Sequence, residues 1–310
     1  MGCLPAVMTD PTAPFVGSEA LAAGTFTTRT LVSRNQRIHR NVFVPTGHVL
    51  TPTTRAVAAW LWSGRQATLA GLSASALHGT KWIDANEPAE LCRVEAGASG
   101  IVVHRDTIAD DEVCLIKGMK VTTPARTAFD LGRRLRGTEA VIRLDALANA
   151  TEVRVEEVLA VASNHRRARG VVSLRSALDQ MDAGAESPQE TRTRLLLISA
   201  GLRRPQTQIV VRDDYGVPFA RLDMGWEECL VGVEYDGPQH WTDPSRRNRD
   251  IDKYAELDAR SWRIVRVNSA LLRERPGVVV RRTCLALREA GCSWLDECGV
   301  DPRFVARGVA

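Results

Sequence analysis

The eight residues Cys229-Leu230-Val231-Gly232-Val233-Glu234-Tyr235-Asp236, closed by Gly237-Pro238, constrain the chain more than any other segment. β-branched and aromatic residues alternate there with small and acidic ones, the period of a half-buried strand, and Gly-Pro ends it. Strand parity then sorts the side chains. Val231, Val233 and Tyr235 share one face, and Gly232, Glu234 and Asp236 share the other. One face needs a core to cover it. The other carries two carboxylates two residues apart, which no ordinary solvated strand requires.

The segment Phe219–Met224 reads as the preceding strand, with a bend at Trp226-Glu227-Glu228. If the hairpin pairs so that Asp223 lies across from Gly232, Asp223 joins the acidic face, diagonal to Glu234. A slip of one residue would send it to the opposite face. Three converging acids repel each other unless a cation neutralises them. A hard divalent ion, Mg²⁺ or Mn²⁺, held by Asp223, Glu234 and Asp236 as metal ligands fits that need, and such an ion activates water against a phosphodiester. His240, four residues past Asp236, suits a general acid or base or a phosphate contact. The basic helix that follows places Arg246, Arg249 and Lys253 near the same end. Arg249 and Lys253 share a helical face able to hold phosphate.

Upstream, Ser187-Pro188-Gln189-Glu190 has the form of a capping box opening a helix that stops at Gly201. Strand-like stretches follow at 208–214 and, past the basic helix, at 262–267, then a helix around 269–289. The segments SPQETRTRLL, ARLD, VEYDGPQHW and RRNRDIDKYAELDARSWRIVRV together resemble the PD-(D/E)XK nuclease superfamily, in its Vsr-like (very-short-patch-repair endonuclease-like) group, over about residues 186–288. The resemblance implies a restriction-endonuclease-like α/β domain with a mixed central sheet. It implies metal ligation by Asp223 and Glu234, with Glu190 as the first-helix acid and His240 as the histidine beyond the core strand. Asp236 stands where the superfamily usually has lysine, as in other Vsr-like members, which leaves the general base open. Ser261 stands where many relatives have glycine.

The first half carries a different signal. From Ala20 to Ile83 there is no Asp or Glu, while Arg29, Arg34, Arg37, Arg40, Arg55, Arg65 and Lys81 all fall in that window. Such a stretch is the footprint of a phosphate-binding surface, or else a solvated basic face. Ser18 is expected to cap a helix ending at Gly24, and Thr27 a second helix to about Ser33. Arg37–Val44 alternates like a strand pair. Helix, turn, helix and basic wing is the order of a winged helix-turn-helix. Its nucleic-acid contacts would be Thr28, Arg29, Arg34, Arg37 and Arg40. LAAGTFTTRTLVSRNQRIHRNVFVP, LSASALHG and VTTPARTAFDL are similar to the AbiEi-type antitoxin family of winged-helix repressors over roughly 18–150. That resemblance implies DNA binding and autoregulation rather than catalysis.

With 310 residues the chain is long for one core. The expected organisation is an α+β / α/β multidomain protein. It has a loose N-terminus (1–17), a winged helix-like module (18–65), an α+β middle region (66–181), the nuclease-like domain (186–290) and a tail (291–310). Asp182-Ala183-Gly184-Ala185 is the expected joint. Helices are expected near 53–63, 67–78, 124–135, 137–149, 153–163 and 171–181, and strands near 90–94, 100–104 and 119–122. His39, His78 and His104 read as structural. The run NHRRARG at 164–170 is a connector or a phosphate contact. Seven cysteines without a C-x-x-C pair read as reduced, buried thiols, which points to the cytoplasm. Nothing resembles a signal peptide or a run long enough to span a bilayer. Trp262 reads as core, and Trp241 as either core or a stacking platform. Two functions follow: a Mg²⁺-dependent DNA endonuclease, or a DNA-binding regulator of the antitoxin type with an inactive nuclease-like domain. Duplex DNA is the expected partner. RNA, a toxin partner and a homodimer stay open, and no membrane is involved.

Overall fold

A computed structural model describes residues 13–92, 97–237 and 244–301, with the side chains of 244–250 outside the description. The chain forms two compact units. One runs to Arg136 and resumes at Ala150–Leu178; the other joins Gly137–Asn149 to the chain from Asp179 onward.

The first unit begins with β1 (Phe15–Val16), α1 (Gly17–Ala22), α2 (Thr28–Arg34), β2 (Asn35–His39) and β3 (Val42–Pro45). These strands form a three-stranded sheet in the order β1-β3-β2. β1 lies inside the stretch expected to be loose. It is held by pairing Phe15 with Phe43 and by stacking of Phe15 on Phe26 and Phe43, with centroids 5.4 and 6.1 Å away. α2 starts where the sequence places it: Thr27 caps it by accepting from the Thr30 amide, and Thr30 reciprocates. α1 does not use Ser18 as its cap. Asn41, at the tip of the β2–β3 hairpin, accepts from the Gly17 amide through its backbone oxygen and from the Ser18 amide through Oδ1, both at 2.9 Å. The orphan amides of this helix are therefore satisfied from across the module.

The same unit continues with α3 (Pro52–Trp62), β4 (Thr68–Leu69), α4 (Gly71–Leu77), β5 (Ala89–Cys92), β6 (Ile101–His104), β7 (Val113–Ile116) and β8 (Met119–Thr122). The latter five strands make a mixed sheet, β6-β5-β4-β8-β7. α3 and α4 cover it over a core that includes Ala56, Ala59, Leu69, Leu91 and Val121. β4 and β7 were not expected from the sequence, and α4 is shorter than the helix expected there. α5 (Pro124–Arg134), α7 (Val155–Asn164) and α8 (Val171–Leu178) complete the unit. Pro124 takes the first turn of α5 behind the Thr123 cap.

Between α5 and α7 runs α6 (Gly137–Thr151), whose first thirteen residues group with the second unit rather than with the middle region to which the sequence assigns them. The cause is a buried ion pair. Asp145 accepts from Arg194 at 2.7 Å and from Thr191 Oγ1 at 2.8 Å, both on α9 (Pro188–Ser199), and all three residues are buried.

The second unit is built on β9 (Gln206–Arg212), β10 (Pro218–Trp226), β11 (Val231–Asp236) and β12 (Arg263–Asn268), with α10 (Pro244–Ala259), α11 (Ser269–Glu274) and α12 (Pro276–Glu289). The sheet order is β12-β11-β10-β9; β11 and β12 are parallel and the other pairs antiparallel. It is a mixed sheet with helices covering both faces. One face packs Met224, Trp226, Val231, Val233 and Val267 against Leu197 of α9 and Val280 and Leu287 of α12. The other packs Ile209, Val211 and Leu222 against Leu257 of α10 and Trp262, the tryptophan expected in the core. Trp294 and Leu295, in the stretch expected as a tail, lie in the first of these cores.

Cys229 and Cys292 form a disulfide, correcting the expectation that all cysteines are reduced. The start of β11 and the end of α12 bring their Cα atoms to 5.4 Å, a proximity that a 63-residue separation hides in the sequence. Cys92, Cys114, Cys284 and Cys298 are free. Among the described residues no helix is long and apolar enough to cross a membrane.

Candidate functional site

The acidic cluster of the second unit follows from how β10 meets β11. Gly225 faces Gly232, with Met224 opposite Val233 and Trp226 opposite Val231. The sequence-based register placed Asp223 across from Gly232, two residues off. Only glycines fit this crossing: a Cβ on Gly225 would lie 2.2 Å from the Val231 oxygen, and one on Gly232 would meet Leu222 and Ile264 at 2.8 and 2.9 Å. Leu222 packs on the α10 side of the sheet and Met224 on the other, so the alternation of β10 breaks between them, at Asp223. There the Asp223 carboxylate takes the place of a ladder oxygen and accepts the Tyr235 amide at 2.7 Å.

The parity of β11 holds. Val231 and Val233 enter the α12-side core, while Glu234 turns to α10. Glu234 is buried and ion-paired to Lys253, and its other oxygen accepts from Tyr254 Oη at 2.5 Å. Asp236 accepts from Arg266 Nε at 2.8 Å, and that guanidinium lies 5.0 Å from the Tyr254 ring centroid. Glu190 is buried at the start of α9, accepting from the Ser187 hydroxyl at 2.7 Å and the Glu186 amide at 2.9 Å. The Ser187 half of the expected capping box is present; the glutamate half reaches one residue further out. Burial pushes the Glu190 carboxyl up, although these donors and Arg221 oppose the shift.

Asp223 is the most perturbed member. Burial first, then the charges of Glu190 and Glu234, push its carboxyl up to about 7, against the pull of the Tyr235 amide and Lys253. Burial and the Glu234 carboxylate push the Tyr254 hydroxyl up, so it stays a hydrogen-bond donor.

The bonds test whether this donor set fits a divalent cation. Glu234 is already neutralised by Lys253, and Asp236 is drawn onto Arg266. No group of three His, Cys, Asp or Glu side chains able to hold one metal ion is present among the described residues. As arranged, Asp223, Glu234 and Asp236 do not fit a three-carboxylate metal centre. Lys253, expected on phosphate, sits on Glu234. Tyr254 and Arg266 were not anticipated, although Arg266 lies opposite Glu234 in the parallel β11–β12 register. His240 and Trp241 lie outside the described residues; Arg246 and Arg249 fall on α10 with side chains outside the description.

The basic module presents the other expected residues together. Thr28, Arg29 and Arg34 on α2 and Arg37 and Arg40 on the β2–β3 hairpin are all exposed. Arg65 and Arg55, from the same acid-free window, are spoken for. Arg65 forms a two-pronged pair with Glu19 at 2.6 and 2.7 Å, and Arg55 donates to the Ala85 oxygen. His39 is buried, and that burial, followed by the charge of Arg55, holds its ring below the usual histidine range. His78 bonds the Thr122 carbonyl at 2.8 Å and His104 bonds Glu90 at 2.7 Å, contacts that tie elements together.

A further polar centre lies in the first unit. Arg126 of α5, 1 % exposed, is ion-paired to Glu112 and to Asp130 at 3.0 Å, and His165 meets Glu112 at 2.6 Å. Burial pushes the Glu112 carboxyl up, but the bonds from His165, Ala109 and Arg126 win and hold it below the usual range. A cleft of about 420 Å³ opens beside Arg126 and Phe129, edged by His165, Arg166 and Arg167 of the NHRRARG run.

Comparison with known proteins places this centre in context. Residues 64–180 match the AbiEi antitoxin C-terminal domain family. Over 191 residues the chain is 29% identical to an uncharacterized protein of Mycobacterium tuberculosis, MT2308 in strain CDC 1551 / Oshkosh and Rv2248 in strain ATCC 25618 / H37Rv. The match covers 62% of this chain and 69% of each relative. No solved structure matches the chain. The antitoxin-like resemblance thus has independent support, and the nuclease-like one rests on residue pattern alone.

Proposed function

We propose that the protein is a DNA-binding regulator of the antitoxin type, whose N-terminal module docks on duplex DNA through α2 and the β2–β3 hairpin. One observation carries this reading: Thr28, Arg29, Arg34, Arg37 and Arg40 stand exposed on adjoining elements with no acid in that stretch of chain. Arginines so placed neutralise phosphates, and a short helix presenting small and basic side chains fits the major groove. The match of residues 64–180 to an antitoxin domain supports the regulatory role, and with it a toxin as protein partner. Fluorescence anisotropy with a labelled duplex over a salt series tests the reading. Each phosphate contact adds about −0.9 to the slope of log K against log [salt]. Replacing Arg29, Arg34, Arg37 and Arg40 by alanine is expected to flatten that slope by roughly three to four units, one contact each. An unchanged slope, or stronger binding to single-stranded RNA than to duplex DNA, would overturn it.

A second reading, DNA cleavage by the second unit with Mg²⁺ or Mn²⁺, would require Lys253 and Arg266 to release Glu234 and Asp236, and what favours it is the placement of Asp223 beside Glu190 and Glu234. The Asp223 carboxyl is pushed up to about 7 by burial and by Glu190 and Glu234, which is the situation a nearby cation relieves. Plasmid nicking with either metal, abolished in both Asp223→Ala and Glu234→Ala, would establish it. Nicking that survives in both variants would remove it.

A further inference from the structure

α2 has two apolar residues, and they part company. Leu31 is 5% exposed and enters the core, whereas Val32 is 69% exposed. A single exposed valine needs no explanation by itself; its position supplies one. At about 100° per residue, the outer face of the helix runs Thr28, Val32, Arg29, Ser33. Val32 is therefore flanked by the two side chains best suited to a groove.

Neighbouring helices do not offer such a face. α1 carries no base, and its one acid, Glu19, holds Arg65. In α3 the only base, Arg55, is given to the Ala85 oxygen. α2 is the helix of this module that presents bases without acids, and Val32 is the apolar element of its surface. In the major groove of DNA the apolar feature of a base edge is the 5-methyl group of thymine; every other feature there is a donor or an acceptor.

We propose that Val32 reads a thymine 5-methyl group, so that the preferred duplex carries a fixed A·T pair at the step that α2 covers. This inference rests on the DNA-binding reading above and adds a base preference to it. Arg29 and Thr28 hold the helix in the groove, and Val32 supplies its exposed apolar contact.

The test starts by selecting the preferred duplex of the full-length chain from a random-sequence pool. That duplex is then resynthesised with deoxyuridine in place of thymidine, one position at a time. Uracil pairs as thymine does and lacks only the methyl group. The wild-type chain is expected to lose about fourfold in affinity at one position, the value of burying one methyl group. Val32→Ser is expected to bind the thymine and uracil duplexes alike, and Val32→Ile to keep the distinction. Because Val32 is exposed, both variants should melt with the wild type. Indifference of the wild type to every replacement, or discrimination kept by Val32→Ser, would overturn the proposal while leaving DNA binding intact. Failure of the wild-type chain to retain any duplex would overturn the DNA-binding reading, and this inference with it.

Discussion

Replacing Asp223 by asparagine should stabilise the protein increasingly as the pH rises. The amide oxygen of asparagine can still accept the Tyr235 amide, which the carboxylate accepts at 2.7 Å, so the geometry survives and only the ionisable group is lost. In the folded chain burial, Glu190 and Glu234 push the Asp223 carboxyl up to about 7. The folded state therefore holds a proton that the unfolded chain has already released. Wild-type stability is penalised from the ordinary aspartate range upward, and the penalty stops growing above pH 7. Between pH 5 and pH 8 the full shift corresponds to about 2.6 kcal/mol, and partial solvation of the carboxyl brings the expectation to roughly 2 kcal/mol. Urea denaturation at pH 5, 6, 7 and 8 can follow Trp226 and Trp294, buried in the same unit with ring centroids 5.7 Å apart. The stability of Asp223→Asn minus that of the wild type should widen by that amount and then level off. A constant difference across the range, or one that narrows, would refute a raised Asp223 carboxyl beside Glu190 and Glu234.

Other consequences are as direct. Arg126→Met removes the buried cation shared by Glu112 and Asp130, leaving Glu112 to His165 and Asp130 to Arg133 and Arg134, and a thermal melt should report a loss of about 3 kcal/mol. The double variant Cys229→Ser, Cys292→Ser opens a loop spanning a 63-residue separation, and denaturation should show a loss of about 4 kcal/mol relative to the oxidised protein. Gly225→Ala drives a methyl group to within 2.2 Å of the Val231 oxygen, at a cost of about 1–3 kcal/mol measured by urea titration. Millimolar Mg²⁺ at pH 8 should raise the melting temperature of the wild type and not of Asp223→Asn if the second reading holds. Equal responses would count against a cation at Asp223.

What the sequence discloses and what it hides divide along the range of the interactions. Thr27 and Thr30 lie three residues apart and cap α2 by themselves, so the start of that helix was legible. The start of α1 was not, because its amides are satisfied by Asn41, 23 residues from Ser18. The alternation of β11 placed Glu234 and Asp236 on one face, and local period is enough for that. It did not reveal that Lys253 and Arg266 compensate them, since those bases come from α10 and β12. The hairpin register depended on which glycine crosses which. Asp223 interrupts the alternation of its own strand, so parity reasoning failed at the residue of greatest interest. β7 was missed although Lys117-Gly118, between Ile116 and Met119, is a recognisable turn signal. The joint at 182–185 was the natural place to divide the chain by composition. The buried pair of Asp145 with Arg194 ties α6 across it.

That pair also sets a schedule for synthesis. The chain passes from the first unit to the second at Gly137, returns at Ala150 and leaves again at Asp179. Asp145 reaches the ribosome exit with its partner still 49 residues behind. At about 5–20 residues per second, α6 waits roughly 2–10 s for the arginine that neutralises it. The second unit is thus begun before the first is complete, and a nascent chain stalled in that interval would carry a helix whose buried acid has no cation. Nor can one crossover exchange either unit intact between two genes: α6 would travel with the wrong half.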